Sequence, residues 1–193
     1  MKGGEDSRIP AILSQSLPED FRVVTRIWDF EPEKGNALVH EWVKELKPAL
    51  VIGESLGSIH ALTISTIPIL LVSPALNTPL YFHFFAPLVL LPGMRILFNY
   101  IYRPSSERRQ LVDFRYKTLR GWLRFRQEAL NAPHLSVFAF FGTEDHYRRS
   151  GIVSIRAYRK HFGSNYALYK GSHYMEEQYL HSMLIPKIKS ICA

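Results

Sequence analysis

Leu50-Val51-Ile52-Gly53-Glu54-Ser55-Leu56-Gly57-Ser58-Ile59 is the stretch whose reading decides the fold. Ala49 to Ile52 form a short apolar run, the pattern of a buried parallel strand. Beyond the turn, Ile59, Ala61, Leu62 and Ile64 read as the start of a buried helix. Between them lies Gly53-Glu54-Ser55-Leu56-Gly57, of form G-x-S-x-G, so the stretch predicts a strand–turn–helix with a serine at the apex, the nucleophile-elbow arrangement. A serine in so sharp a turn has strained backbone angles that lift its Oγ above the sheet. Side chains two residues before and after it are expected to collide with the neighbouring strand and helix, which favours glycine at both positions. The N–H of Leu56, near the helix N-terminus, can face a developing oxyanion.

Working outward, Ile9 to Leu17 predicts a short helix and Phe21 to Phe30 a β-rich strand. Glu31-Pro32-Glu33-Lys34-Gly35 reads as a breaker. Asn36 is the expected N-cap of a helix running to Leu46, with Leu38, Trp42, Val43 and Leu46 at helical spacing, stopped by Lys47-Pro48. Pro68 to Ser73 is the next buried strand. Leu135 to Phe141 is a later one, followed by the turn Gly142-Thr143-Glu144-Asp145-His146. Ile152 to Phe162 predicts a helix, Tyr166 to Tyr169 a last strand, and Glu176 to Ile191 a closing helix with Leu180, Met183, Leu184 and Ile188 on one face. Such alternation implies a mostly parallel sheet with helices on both faces, a three-layer α/β architecture.

Residues 80–130 interrupt the alternation. Leu80 to Tyr102 is strongly apolar, but Pro87, Pro92, Gly93, His83 and Arg95 argue against one membrane span. Two short apolar helices are expected instead. A further helix should start near Pro104, capped by Ser105 or Ser106, burying Val112, Tyr116, Leu119 and Leu123. Arg108, Arg109, Arg115, Lys117, Arg120, Arg124 and Arg126 flank it and read as a solvated basic face.

The chain has 193 residues, 47% of them hydrophobic and 21% charged, which excludes a disordered segment and fits one domain. Its single cysteine, Cys192, rules out an intramolecular disulfide, and the cytoplasm is the simplest home. The first ten residues lack an apolar signal core. A formal charge of +7 permits attraction to an anionic membrane or acidic substrate; no nucleic-acid partner is expected. No His/Cys/Asp group has metal-ligand spacing, so neither a metal nor a cofactor is expected.

A serine hydroxyl needs a base within hydrogen-bond reach and a group to orient that base. Ser55, Asp145 and His173 each follow a predicted strand, and the C-terminal ends of parallel strands share the edge where sites form. Glu144 and His146 are the neighbouring alternatives to the acid and the base, and His60 on the elbow helix is expected to be packed there.

The motifs Gly53-Glu54-Ser55-Leu56-Gly57, Phe141-Gly142-Thr143-Glu144-Asp145 and Gly171-Ser172-His173-Tyr174 together resemble the α/β-hydrolase superfamily. The resemblance covers the chain from about residue 9 to its end. It implies a single α/β-hydrolase-like domain over 1–193 with a helical cap insertion at 80–130. It makes Ser55 the nucleophile, His173 the general base and acid, and Asp145 the orienting carboxylate. The substrate class it implies is a small carboxylic ester or thioester, hydrolysed through an acyl-enzyme. The aromatic residues Tyr81, Phe82, Phe84, Phe85, Phe98, Tyr100 and Tyr102 are expected to line an acyl pocket or to lie in the core beneath the cap.

The departure from that family is at the front. No apolar strand precedes Gly3-Gly4, and the first strand is apparently missing. The chain reads as if it begins inside the loop that carries the second oxyanion donor, the N–H of Gly3 or Gly4. Weak activity is expected unless residues 1–7 are fixed by packing. Two other classes compete with an esterase: a catalytically weak or inactive binding protein that presents the basic helix, and a peripheral membrane protein anchored by 80–126. The oligomeric state is open.

Overall fold

In the computed structural model, residues 8–101 and 112–192 are described. Gly3 and Gly4, Arg108 and Arg109, Tyr102 and the start expected near Pro104 lie outside them. Four strands form one sheet in the order β1 (Val51–Glu54), β2 (Ile69–Val72), β3 (Val137–Gly142) and β4 (Tyr166–Tyr169), with every pairing parallel. In register, Gly53 lies opposite Leu71 and Val72 opposite Phe140, so the strands end together at one edge.

The alternation of each strand divides the core in two. Ile69 and Leu71 of β2, with Val137, Ala139 and Phe141 of β3, join Ile59, Trp122 and Tyr158 on one face. Leu70, Val72 and Phe140 join Ile9, Leu13, Leu180 and Leu184 on the other. The first face is covered by α2 (Pro32–Leu46), α3 (Gly57–Ala61), α6 (Tyr116–Asn131) and α8 (Ile155–Phe162). Three of these connect successive parallel strands, and right-handed crossovers put such connections on one side. The second face is covered by α1 (Arg8–Ser16) and the closing helical segment. That segment runs from α9 (Glu177–Tyr179) through a π-turn at Leu180–Leu184 into α10 (Ile185–Cys192). Pro186 has no N–H to give the carbonyl four residues earlier, which accounts for the turn widening there.

Between β2 and β3 the chain forms α4 (Thr78–Phe85), a 3₁₀ turn (Ala86–Leu90), α5 (Met94–Ile101) and then α6. Among the described residues no helix is long and apolar enough to cross a membrane.

Three sequence expectations need correction. Phe21 to Phe30 forms neither helix nor strand and joins no ladder among the described residues. Local β-propensity favours a strand, but only a hydrogen-bonding partner makes one. The expected breaker at Glu31 to Gly35 is instead the first turn of α2, which begins at Pro32 rather than after Asn36. Proline suits that position because its missing N–H has no partner to lose there. Finally, α6 starts only at Tyr116; it buries Leu119 as expected, but its other buried residues are Thr118, Trp122, Phe125, Ala129 and Leu130 rather than Tyr116 and Leu123. Val112 is buried but precedes the helix, and Tyr116 is exposed. Trp122 decides the helix's rotation: fully buried, it donates its indole N–H to the Phe30 carbonyl at 3.1 Å and meets the rings of Trp28, Phe82 and Phe125.

His60 on α3 is enclosed by the same rings, with centroids 4.4 Å from Trp28, 4.9 Å from Phe125 and 5.3 Å from Trp122. Neither ring nitrogen has a hydrogen-bond partner. Desolvation, with a smaller contribution from His40, pushes its pKa down to about 3. The folded value lies below the unfolded one, so the fold favours neutral imidazole. Stability is complete above the unfolded pKa of about 6.5 and is lost as pH falls from there toward 3. Between pH 7.5 and pH 5 this costs the wild type about 2 kcal/mol, from 1.36 kcal/mol per pH unit. His60→Leu abolishes that increment, which chemical denaturation at the two pH values measures; equal pH dependence in both proteins contradicts it.

Candidate active site

The turn between β1 and α3 places Ser55 at φ +52°, a left-handed conformation uncommon outside glycine. The turn is tied to the sheet at both ends: the Ser55 N–H donates to the Val72 carbonyl at 3.0 Å, and the Ser55 carbonyl accepts from Ala75 N–H at 3.1 Å. A Cβ on Gly53 would lie 2.8 Å from Ser58 Cα and 2.9 Å from Ala61 Cβ, so the strand and α3 approach too closely for any side chain there. Gly57 differs from expectation. A Cβ there meets only Trp28 Nε1, at 3.8 Å, an ordinary contact.

Ser55 Oγ lies 2.9 Å from His173 Nε2, and His173 Nδ1 lies 2.8 Å from Asp145 Oδ2. His173 and Asp145 are each only 2% exposed. Asp145 caps α7 (His146–Arg149), its other oxygen accepting from Tyr147 N–H at 2.8 Å. An ionised Asp145 accepts the Nδ1 proton, which leaves Nε2 as an acceptor for the serine hydroxyl. The side chains from three turns thus form one hydrogen-bonded chain at the C-terminal edge of the sheet. Glu144 and His146 point elsewhere: both are exposed, and His146 rests on Tyr147. Among the described residues no hydrogen-bond acceptor meets the Leu56 N–H. Glu54, next to the serine, is not simply solvated. Desolvation raises its carboxyl pKa, with His173 and Arg8 pulling it back down. No group of three or more His, Cys, Asp or Glu side chains among the described residues could hold a metal.

Sequence reasoning missed what holds the histidine. Tyr169, the last residue of β4, donates its hydroxyl to the Ser172 carbonyl at 2.9 Å. Ser73, at the end of β2, is 3.0 Å from the same phenol oxygen and so donates to it. Burial pushes the Tyr169 phenol up to about 12, so it remains a donor. Glu176 accepts from Ser172 N–H at 3.2 Å, and the Gly171 carbonyl accepts from Glu144 N–H at 2.9 Å. A Cβ on Gly142 would fall 2.3 Å from the Ser172 carbonyl oxygen, so only glycine lets the acid turn and the histidine loop lie back to back. Nothing in the sequence marks Ser73, Tyr169 or Glu176, because their partners are remote or depend on loop conformation.

Tyr102 lies outside the described residues; the described aromatic residues of 80–101 divide between core and surface. Phe82 packs against Phe30 and Trp122, and Phe98 against Phe114. Phe84, Phe85 and Tyr100 are exposed. A shallow concavity lined by Thr143, Glu144, Asp145, Arg148 and Arg149 touches the acid's turn but includes neither Ser55 nor His173.

The arrangement can be compared with known proteins. The chain is similar to the crystal structure of Paleococcus ferrophilus monoacylglycerol lipase, with a TM-score of 0.53 and 17% identity over 86% of this chain and 77% of that one. This chain has the α/β-hydrolase fold. Two further similarities are weaker. One is to a carboxylesterase structure from Nitrososphaera gargenis, TM-score 0.43 and 13% identity, covering 86% of this chain and 73% of that one. The other is to MenH from S. aureus, TM-score 0.40 and 14% identity, covering 90% and 79%. No family model and no curated protein matches the sequence. Of the four described strands, β1, β3 and β4 lead into the elbow, the turn of Asp145 and the loop of His173.

Two measurements follow from this geometry. Gly53→Ala costs about 1–3 kcal/mol by overpacking, whereas Gly57→Ala stays within about 1 kcal/mol of wild type; denaturant titration separates them, and equal losses contradict the distances. Tyr169→Phe keeps the ring but leaves the Ser172 carbonyl without this donor, costing about 1–3 kcal/mol. It also speeds solvent exchange of the His173 Nδ1 proton, visible by NMR. Unchanged exchange removes Tyr169 from any role in holding the histidine.

Proposed function

We propose that this chain is a serine hydrolase that cleaves a carboxylic ester or thioester through an acyl-enzyme. The observation that carries the proposal is the chain Asp145–His173–Ser55, with bonds of 2.8 and 2.9 Å. Ser55 Oγ attacks the substrate carbonyl carbon while His173 Nε2 takes the hydroxyl proton. Asp145 stays ionised, keeps the ring in the tautomer that can accept at Nε2, and stabilises the imidazolium that forms. As the tetrahedral intermediate collapses, the carbonyl–leaving-group bond breaks and His173 returns the proton to the departing alcohol or thiol. Water, deprotonated by the same nitrogen, then attacks the acyl-serine ester. The acid is released, and Ser55 recovers its proton.

The negative oxygen of each intermediate is received by the Leu56 N–H, at the entrance of α3. In this reading a second donor comes from the backbone at Gly3 or Gly4. One such donor is worth roughly 2.7–4 kcal/mol in comparable sites, so the rate depends strongly on how that segment is held. In this reading the insertion at 80–130 acts as a cap, and the lone cysteine fits a cytoplasmic setting.

A fluorophosphonate probe tests the mechanism directly. It labels Ser55, labelling is absent in Ser55→Ala, and His173→Ala lowers the rate by about 10²–10⁴-fold. A folded protein that never labels, or labels equally in His173→Ala, excludes the mechanism and leaves a non-catalytic binding protein on a hydrolase fold.

A further inference from the structure

The helices between β2 and β3 carry an apolar surface that, among the described residues, the rest of the fold does not cover. Isolated exposed leucines are ordinary on any protein. Here they are consecutive in the chain and contiguous in space, since the 3₁₀ turn packs against both α4 and α5. Phe84 is 75% exposed, Leu90 65% and Ile96 76%, and Phe85, Leu91 and Leu97 are exposed beside them. No residue of α5 is buried. Each helix has a different inner face: Phe82 points from α4 into the core and Phe98 from α5 onto Phe114, so the outward residues are not a misassigned core. Contiguous exposed apolar surface of this kind marks an interaction site.

Its charged rim says what occupies it. The carboxylates of 78–101 and 112–131 are Asp113 and Glu128. Asp113 is paired with Arg95 and Arg115, and Glu128 with Arg124. Lys117 and Arg120 are exposed, and Arg120 reaches His83 of α4 rather than a carboxylate. A second copy of the chain docking face to face would bring these cations against their own kind. A surface that is apolar at its centre and negative around it fits both features, and the chain's +7 charge favours the same approach. We propose that α4, the 3₁₀ turn and α5 lie flat on an anionic lipid surface. The phenyl and aliphatic side chains enter the acyl boundary, and Lys117 and Arg120 meet phosphate headgroups.

The placement also bears on the site. Asn77, just before α4, donates to the Gly151 carbonyl at 2.9 Å, and Tyr81 donates to the Ser150 carbonyl. These bonds hold α4 to the segment that follows Asp145, so α4 begins beside the edge of the sheet where Ser55 sits. A lipid-soluble ester would then reach Ser55 from the surface; this clause alone rests on the proposed hydrolase.

The test uses the full chain carrying Ser55→Ala, so that binding is read without turnover and independently of the mechanism. The protein floats with phosphatidylcholine vesicles containing roughly one-third phosphatidylserine. It floats less with pure phosphatidylcholine, and less with the anionic vesicles at about 0.5 M salt. Phe84→Ser, Leu90→Ser and Ile96→Ser each lower the partition coefficient about tenfold. Lys117→Glu with Arg120→Glu removes the preference for anionic vesicles. All five positions are exposed, so the variants keep the wild-type melting temperature. Leu135→Ser, equally exposed but beyond the far end of α6, leaves binding unchanged. The proposal is overturned if the folded protein does not float with anionic vesicles at low salt, or if the serine variants float as well as their parent. It is equally overturned if light scattering shows a dimer that these substitutions dissociate, which assigns the face to a second copy.

Discussion

The buried hydrogen bond between His173 and Asp145 is the constraint on which the C-terminal edge of the sheet is built. A charged carboxylate with almost no exposure is tolerable only when its oxygens are occupied. Asp145 divides them between the imidazole and the N–H of Tyr147. That requires the turn after β3 and the loop after β4 to lie against one another, and the contact leaves no room for a side chain at Gly142. Tyr169 and Ser73 fasten the loop to the ends of β4 and β2, while Glu176 holds it from the segment leading into the closing helix. Ser55 stands at the end of this chain in a left-handed turn that the sheet and Ala75 hold in place. The position of the imidazole is therefore shared among three strand ends rather than belonging to one loop.

The two faces of the sheet do different work. One, packed by α1 and the closing segment, is mainly aliphatic, with Phe140 and Tyr169 among its buried side chains, and carries the bond from Arg8 to the Met175 carbonyl. The other is an aromatic cluster around Trp122 that joins the segment before α2, the elbow helix and the helices between β2 and β3. His60 within it has no polar partner, so its imidazole behaves as an aromatic filler. Through Trp122 the α4–α6 region is anchored in the core on its inner side. Its outer side is left apolar and, among the described residues, uncovered.

Legibility differed from element to element for physical reasons. The strand before Ser55, the strands ending at Val72 and Gly142, and the helix carrying Leu180, Leu184 and Ile188 each bury a periodic set of side chains, so their spacing is visible in one dimension. The order Ser55, Asp145, His173 was visible because each residue follows a strand, and parallel strands of one sheet end at a common edge. The run from Phe21 to Phe30 has the composition of a strand, but composition carries no information about whether a neighbour offers a ladder. The rotation of α6 was misread because tyrosine and leucine at helical spacing cannot reveal that a single tryptophan fits the aromatic cluster better.

The sequence by itself determined the layered α/β class, the elbow around Ser55 and the three side chains that meet there, because burial periodicity and turn chemistry are local properties. Only the tertiary structure decided how those side chains are held. Tyr169 and Glu176 act through backbone groups of the histidine loop, and Ser73 acts through the Tyr169 hydroxyl; hydrogen bonds to backbone leave no trace in residue type at the receiving end. The tertiary structure likewise decided that Gly53 is obligatory where Gly57 is not, since Ser58 and Ala61 of α3 close over the first position and leave the second open. It also separated Phe82 from Phe84: two phenylalanines two residues apart on one helix, one packed against Trp122 and the other facing outward.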